Sequence, residues 1–383
     1  MRPIPTDRGD CPFDPPTGMA DEALGKVRLA TGDDVWLVAR HHLVRQVLAD
    51  TRFSSELDGG LRGVPLHAVR PEPGMFIQMD PPEHTRLRRM LTGRFTVQRM
   101  NRLRPQIEQI VADQLDVLEQ QPRPADLVAN FALPIPSLVI CELLGVPYED
   151  RQEFQHAAAL LVDLTGSPEE LEAGMLRLGE YLLELIARKR AEPGEGLIDE
   201  LLDSGLRDEE LVGIAVVSLI AGHETTANML GLGTLALLQH PEQLALVRQS
   251  PETARTAVDE LLRYLSIIDT VMLRRASIDL ELDGQVIPEG DFVSCSLASA
   301  NRDPALLERP GELDVTRPKT PHVAFGFGPH QCLGQNLARL EMEIAYPALF
   351  RRLPKLRLAV PLSEVPFKKD VAVYGVHRLE VEW

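Results

Sequence analysis

Phe325-Gly326-Phe327-Gly328-Pro329-His330-Gln331-Cys332-Leu333-Gly334 is the stretch that decides how this chain reads. Three glycines surround a single cysteine, and where side chains are absent the backbone can approach a partner closely. The cysteine stands just before an apparent helix, Leu333 to Leu353, whose first amides and dipole are expected to favour thiolate over thiol. A thiolate with open surroundings is the electron-donating axial ligand that haem iron takes. An inert cysteine in a glycine-rich turn is the ordinary reading of an isolated cysteine. It does not account for the whole pattern.

Upstream, Asp208 to Gln239 reads as one continuous helix. At 1.5 Å per residue it is about 45 Å long, against a radius of gyration of roughly 21 Å for a compact chain of this size. Such a helix crosses most of the body. Its middle, VGIAVVSLIAG, is apolar on every face, as a buried helix should be. His223-Glu224-Thr225-Thr226 interrupts it, and burying that cluster is costly unless partners or a cofactor stand beside it.

The rest of the chain is mostly amphipathic helix, with a little strand. Asp33 to Arg40 predicts a short strand, followed by a helix ending near Asp50. Ser54 to Asp80 is a Gly- and Pro-rich loop of a length that is usually functional or disordered. Asp80-Pro81-Pro82-Glu83 predicts a helix start with Asp80 as N-cap. Strand-like segments cluster late, at Thr270–Leu282, Gln285–Ser296, Leu356–Val360 and Val371–Val381. Pro347 is expected to bend the helix after Cys332 locally. The fold class that follows is mainly α with a small β portion, as a single domain over residues 1–383.

The net charge of −17 argues against a general nucleic-acid binder. The opening MRPIPTDRGDCPFDPP carries no signal-peptide pattern, and no early apolar run is long enough for a membrane anchor, so the expected location is cytoplasmic. Cys11, Cys141, Cys295 and Cys332 form no CxxC pair, which favours reduced thiols over a disulfide framework or a zinc site. Between His84 and Pro105 the charge reverses locally: Arg86, Arg88, Arg89, Arg94, Arg99, Arg102 and Arg104 occur with no acid among them.

The cysteine segment resembles the cysteine loop of the cytochrome P450 family, FGxGxHxCxG, at every fixed position. Ala221-Gly222-His223-Glu224-Thr225-Thr226 resembles that family's oxygen-activating helix motif and Glu260-Leu261-Leu262-Arg263 its ExxR motif. Asn301-Arg302-Asp303-Pro304 and Asp314-Val315-Thr316-Arg317 are similar to the segments that follow in its bacterial members. The resemblance spans nearly the whole chain. It implies a haem-thiolate monooxygenase holding haem b between the long helix and the Cys332 loop. One oxygen atom from O2 would enter an organic substrate, with electrons from NAD(P)H through ferredoxin reductase and ferredoxin. It points to a hydrophobic secondary metabolite such as a macrolide-like polyketide, in antibiotic biosynthesis.

The same resemblance assigns roles. Cys332 ligates the iron, and Ala221, Gly222, Phe325 and Gly334 border the haem, with Gly222 leaving room for dioxygen. His84, Arg88, Arg274 and His330 meet the propionates, and Glu224 with Thr225 delivers protons for O–O cleavage. Thr225 is expected to bond back to the Ala221 carbonyl, loosening the helix locally. Glu260 and Arg263 read as a buried structural pair completed by Arg317. The substrate pocket is expected to draw on the Ser54–Asp80 loop, the Leu160–Gly179 region, Val217, Ile220, Asp269, Thr270 and Tyr374. The arginine run is well placed to receive an acidic ferredoxin. A peroxygenase would not need Glu224 with Thr225, and a non-enzymatic haem sensor would not need the polar helix centre.

Overall fold

The computed structural model describes residues 1–30, 32–57, 73–150, 168–268, 272–368 and 373–383. Asp208–Gln239 is a single 32-residue helix, with the bounds expected. The Glu210 carboxylate accepts from the Arg207 N–H at 2.9 Å, fixing its first turn. Beyond that turn it is buried almost throughout. Helices Pro134–Leu144, Pro168–Ala191 and Gln335–Arg352 pack around it. Its apolar circumference is satisfied by this enclosure, since a helix apolar on all faces is stable only when surrounded. The Tyr346 hydroxyl donates to the Met229 carbonyl at 2.5 Å, pinning Gln335–Arg352 to the long helix. Pro347 lies inside Gln335–Arg352, which continues past it.

Strands run in chain order as β1 (Arg2–Pro3), β2 (Leu24–Arg28), β3 (Asp34–Val38), β4 (Phe53–Ser54), β5 (Ala125–Asp126) and β6 (Leu273–Ala276). They continue as β7 (Leu280–Leu282), β8 (Gln285–Ile287), β9 (Phe292–Cys295), β10 (Arg357–Leu358) and β11 (Glu380–Glu382). The main sheet has the order β1-β2-β3-β9-β6-β4. Its centre joins distant parts of the chain: β3 pairs parallel with β9, Val35 opposite Phe292 through Val38 opposite Cys295. The side chains of β3 after Asp34 are all buried, as suits a central strand. Strand β3 and helix His41–Ala49 fall where the sequence placed them, whereas β1, β2, β4 and β5 were not anticipated.

Two local expectations fail. Asp80 does not cap with its side chain: helix Glu83–Thr92 begins after Pro82 with no side-chain cap. Instead the Asp80 carboxylate accepts from the Ser54 hydroxyl and from the Ser55 N–H at 2.9 Å, fastening β4 to the start of that helix. A carboxylate used this way satisfies strand-edge donors in place of the helix amides. The helix after the cysteine starts at Gln335, with Gly334 as its N-cap.

The ExxR pair is the most heavily bonded charged group of the interior. Arg263, fully buried, donates to both Glu260 oxygens, Nε at 2.8 Å and Nη2 at 2.7 Å. Its remaining donors reach the carbonyls of Asn301 (3.1 Å), Pro310 (2.9 Å) and Glu312 (3.1 Å). Arg317 completes the cluster, donating to Glu260 Oε1 at 3.2 Å, and the Asp314 N–H donates to the same oxygen at 3.0 Å. Asn301 Oδ1 then accepts from the Val323 N–H at 2.7 Å, two residues before the cysteine loop. The structural role read from the sequence holds for all three residues.

Candidate functional site

The cysteine loop is a tight hairpin. The Cys332 N–H donates to the Phe325 carbonyl at 2.8 Å and Gln331 N–H to the Gly328 carbonyl at 3.0 Å. Gly328 has φ +73°, and a Cβ there would lie 2.3 Å from the Leu48 carbonyl. Only glycine lets the loop rest on the end of helix His41–Ala49. Around Gly334 a Cβ would meet nothing within 4 Å, so the backbone beside Cys332 is open.

Burial pushes the Cys332 thiol above its ordinary value. The Gly334 and Gln335 backbone groups and the Arg88 and Arg339 cations pull it down without offsetting burial. Burial thus opposes the preference for thiolate expected from the helix start.

The long helix presents one accessible stripe in an otherwise packed surround. Ser218, Ala221, Gly222 and Thr225 are all at least partly exposed, at the i, i+3, i+4, i+7 spacing of one face. Thr225 Oγ1 donates to the Ala221 carbonyl at 2.6 Å, as expected. One expectation needs correction here. The absent Gly222 side chain leaves room for Ile140, whose Cδ1 would lie 2.6 Å from a Cβ, so the glycine admits helix Pro134–Leu144. Space for a small molecule is not what its side-chain direction provides. The Glu224 carboxylate pairs with Lys368 and accepts from Asn228 Nδ2 at 2.8 Å. His223 is buried with neither ring nitrogen hydrogen-bonded.

A basic cluster lies beside the loop. The His84 and His330 rings stack with centroids 3.9 Å apart, and both His84 nitrogens are buried without a partner. Arg88 donates to the Gln331 carbonyl, and the buried Arg274 donates to the Leu273 carbonyl at 2.7 Å. Desolvation, then Arg274, His84 and Arg88, push His330 down to about 3, and burial lowers His84 as well. Two stacked imidazoles and two guanidiniums, with unused donors, form a site for a strongly anionic group. The four residues named from sequence are thus brought together, and their chemistry fits the carboxylates of a haem. Arg275, the neighbouring rival to Arg274, pairs through its backbone with β4 and β9.

Of the pocket residues, Ile220 is partly accessible, but Val217 is packed in the core. Tyr374 is also buried: the Arg8 guanidinium covers its ring at 3.7 Å and Phe367 stacks 6.0 Å away. Both were expected to line the substrate pocket, and in the structure both pack against protein neighbours. Asp269, Thr270, most of the Ser54–Asp80 loop and the start of the Leu160–Gly179 region lie outside the described residues. Among the described residues, no three or more His, Cys, Asp or Glu side chains are grouped so as to hold a metal ion. Lys368 and Asn228 were missed by sequence reasoning. Asn228 stands one turn beyond Glu224, a spacing that could have suggested it; nothing in the sequence marks Lys368.

The cytochrome P450 family model matches residues 179–368. Cytochrome P450-SU2 of Streptomyces griseolus is 45% identical over 99% of this chain and 96% of its own length. Pentalenic acid synthase of Streptomyces avermitilis is 47% identical over 99% of this chain and 97% of its own. The crystal structure of CYP105P1 in complex with filipin I superposes with a TM-score of 0.93 at 42% identity, covering 100% of this chain and 98% of that one. The chain belongs to the cytochrome P450 family and is a haem-dependent monooxygenase. As for the family in general, it works with O2, a redox partner and an organic substrate. Among the described residues no helix is long and apolar enough to cross a membrane.

Proposed function

We propose that residues 1–383 form one cytoplasmic haem-binding domain that inserts an oxygen atom from O2 into a hydrophobic secondary metabolite, with electrons from NAD(P)H through a ferredoxin. The observation that carries this reading is the basic cluster of His84, Arg88, Arg274 and His330 beside the Cys332 loop, tied to it by the Arg88 bond to the Gln331 carbonyl. Haem b, when bound, supplies the oxygen-activating redox chemistry. Cys332 would hold its iron, and His84, Arg88, Arg274 and His330 its propionates; Ala221, Phe325 and Gly334 border it. Relatives named for pentalenic acid and crystallised with filipin I support a small organic substrate, such as a macrolide-like polyketide. Ultraviolet–visible titration of a compound library, read as the low-to-high spin shift, tests the substrate class. Turnover with ferredoxin and NAD(P)H compared with turnover on peroxide tests the electron source.

Thr225 holds a proton donor in place. Its hydroxyl bonds back to Ala221, so its oxygen can accept from water on the accessible stripe. Glu224 supplies the ionisable group, one residue earlier and secured by Asn228 and Lys368. General acid groups of this kind contribute about 10²–10⁴-fold when positioned. Thr225→Ala should keep haem content and substrate-induced spin shift while product per NAD(P)H falls at least about tenfold and hydrogen peroxide rises. Unchanged coupling would remove Thr225 from proton delivery.

The arginine run is less free than its sequence suggested. Arg86 pairs with Glu83 and Glu210, Arg94 and Arg99 with Glu200, and Arg104 with Glu108 and Glu343. Arg99 is a poor probe of docking, because its reversal would strand Glu200. Arg89 and Arg102 are exposed, and among the described residues neither has an acidic partner within ion-pair distance. Charge reversal at Arg89 or Arg102 should slow reduction by ferredoxin several-fold at low salt. The defect should shrink as the Debye length falls toward ~8 Å at physiological ionic strength. Stopped-flow rates indifferent to both changes would exclude this docking face.

A further inference from the structure

A second charged array touches the cysteine loop, away from the basic cluster. Arg339, two turns beyond Cys332, lays its guanidinium over the Phe325 ring at 4.5 Å. Phe325 is the residue whose carbonyl accepts the Cys332 N–H. Arg339 is held there from behind: its Nε donates to Asp259 Oδ1 at 2.8 Å, and its Nη1 to Gln335 Oε1 at 3.1 Å. Asp259 is itself secured. His322 Nδ1 accepts from the Ala324 N–H at 3.2 Å, which leaves His322 Nε2 to face Asp259 Oδ1 at 3.6 Å. Burial alone would raise the Asp259 carboxyl, but the bonds to His322 and Arg339 bring it to about 2, so it is an anion at any working pH.

The array is ordered in space: the cation lies against the loop, and the anion that holds it lies behind. Arg339 stands apart from the basic cluster: among the described residues its hydrogen bonds go to Asp259 and Gln335. Its planar face on an aromatic ring is a geometry that lysine does not reproduce.

We propose that Asp259 is a positioning residue for the axial ligand, pinning Arg339 over Phe325 so that the guanidinium withdraws electron density from the Cys332 sulfur and makes the haem easier to reduce. This rests on Cys332 being the ligand. The physical ground is that a fixed cation near a thiolate stabilises the more negative, reduced state, and charge and hydrogen bonding around the sulfur are levers on haem potential.

The test is the one-electron reduction potential of the purified holoprotein, measured by spectroelectrochemistry, with the ferrous carbon monoxide spectrum as a control. Arg339→Gln should make reduction about tenfold less favourable, which is 59 mV for one electron. Asp259→Asn separates the mechanisms. Removing a negative charge by itself raises a potential, whereas releasing Arg339 lowers it. The potential should therefore fall in Asp259→Asn, and Asp259→Glu should restore most of it. A rise or no change in Asp259→Asn, with the red-shifted carbon monoxide band intact, would overturn the proposal. If Asp259→Asn does not retain haem, an unchanged potential in Arg339→Gln overturns it equally. Absence of the red-shifted band in the unmodified protein would instead overturn the ligand reading, and the proposal with it.

Discussion

Cys332→Ser should abolish the red-shifted carbon monoxide band of the ferrous protein completely, while alanine at each of the other three cysteines leaves it intact. The expectation is sharpened by Cys295. That residue lies beside Arg274 and is the one other cysteine near the basic cluster. Burial pushes its thiol up to about 12, and it is fully enclosed in the centre of the main sheet, where Val38 is its partner. Cys141 is likewise buried in a packed helix, and Cys11 is half-buried near the N-terminus. Only Cys332 combines enclosure with remaining accessible surface and an open backbone beside it. A serine hydroxyl is not deprotonated by iron in the way a thiol is, so the donor is lost even where the loop keeps its shape. Persistence of the band in Cys332→Ser would remove the ligand assignment.

Arg263→Leu should destabilise the protein by about 3–5 kcal/mol, the range for removing one partner of a buried ion pair. Two Glu260 oxygens and three carbonyls lose their donor at once, and Arg317 alone cannot replace it from 3.2 Å on one oxygen. Arg263→Lys should recover little, because a single ammonium cannot fork across the carboxylate and still reach three carbonyls. The consequence reaches the ligand through Asn301, which accepts Arg263 at its carbonyl and holds Val323 with its side chain. Both lower midpoints in guanidinium unfolding and faster haem loss are expected. A midpoint unchanged within error, with normal haem content, would show that the cluster is not the scaffold of the loop.

Much of this was legible in the sequence, for identifiable reasons. The long helix was readable because its apolar run and length leave no other structure that buries it. The Cys332 loop and the Glu260–Arg263 pair were readable because motif residues stand close together in the chain, whereas Arg317, 57 positions from Glu260, was placed by the family resemblance. What escaped depended on contacts between distant segments. Lys368 reaches Glu224 across 144 positions, and Arg339 reaches Asp259 across 80. Neither has a local pattern that separates it from an exposed cation. Gly222 misled because its position in a motif says that a side chain is absent, not which neighbour occupies the space. The arginine run misled because its acidic partners, at positions 83, 108, 200, 210 and 343, all lie outside the window in which the charges were counted.

The pairing of β3 with β9 also bears on how the chain is made. Residues 34–38 emerge from the ribosome long before residues 292–295, their parallel neighbours. At typical synthesis rates the interval is roughly 13 to 50 seconds. Until then Trp36, Val38, Leu43, Val44 and Val47 lack the Leu280–Val323 side chains that cover them in the finished protein. The nascent N-terminal region therefore carries exposed apolar surface through most of translation, held only by its local pairing with β2. Premature termination anywhere before β9 yields a chain in which that surface can never be covered, which makes truncated products of this protein natural clients of chaperones and proteases.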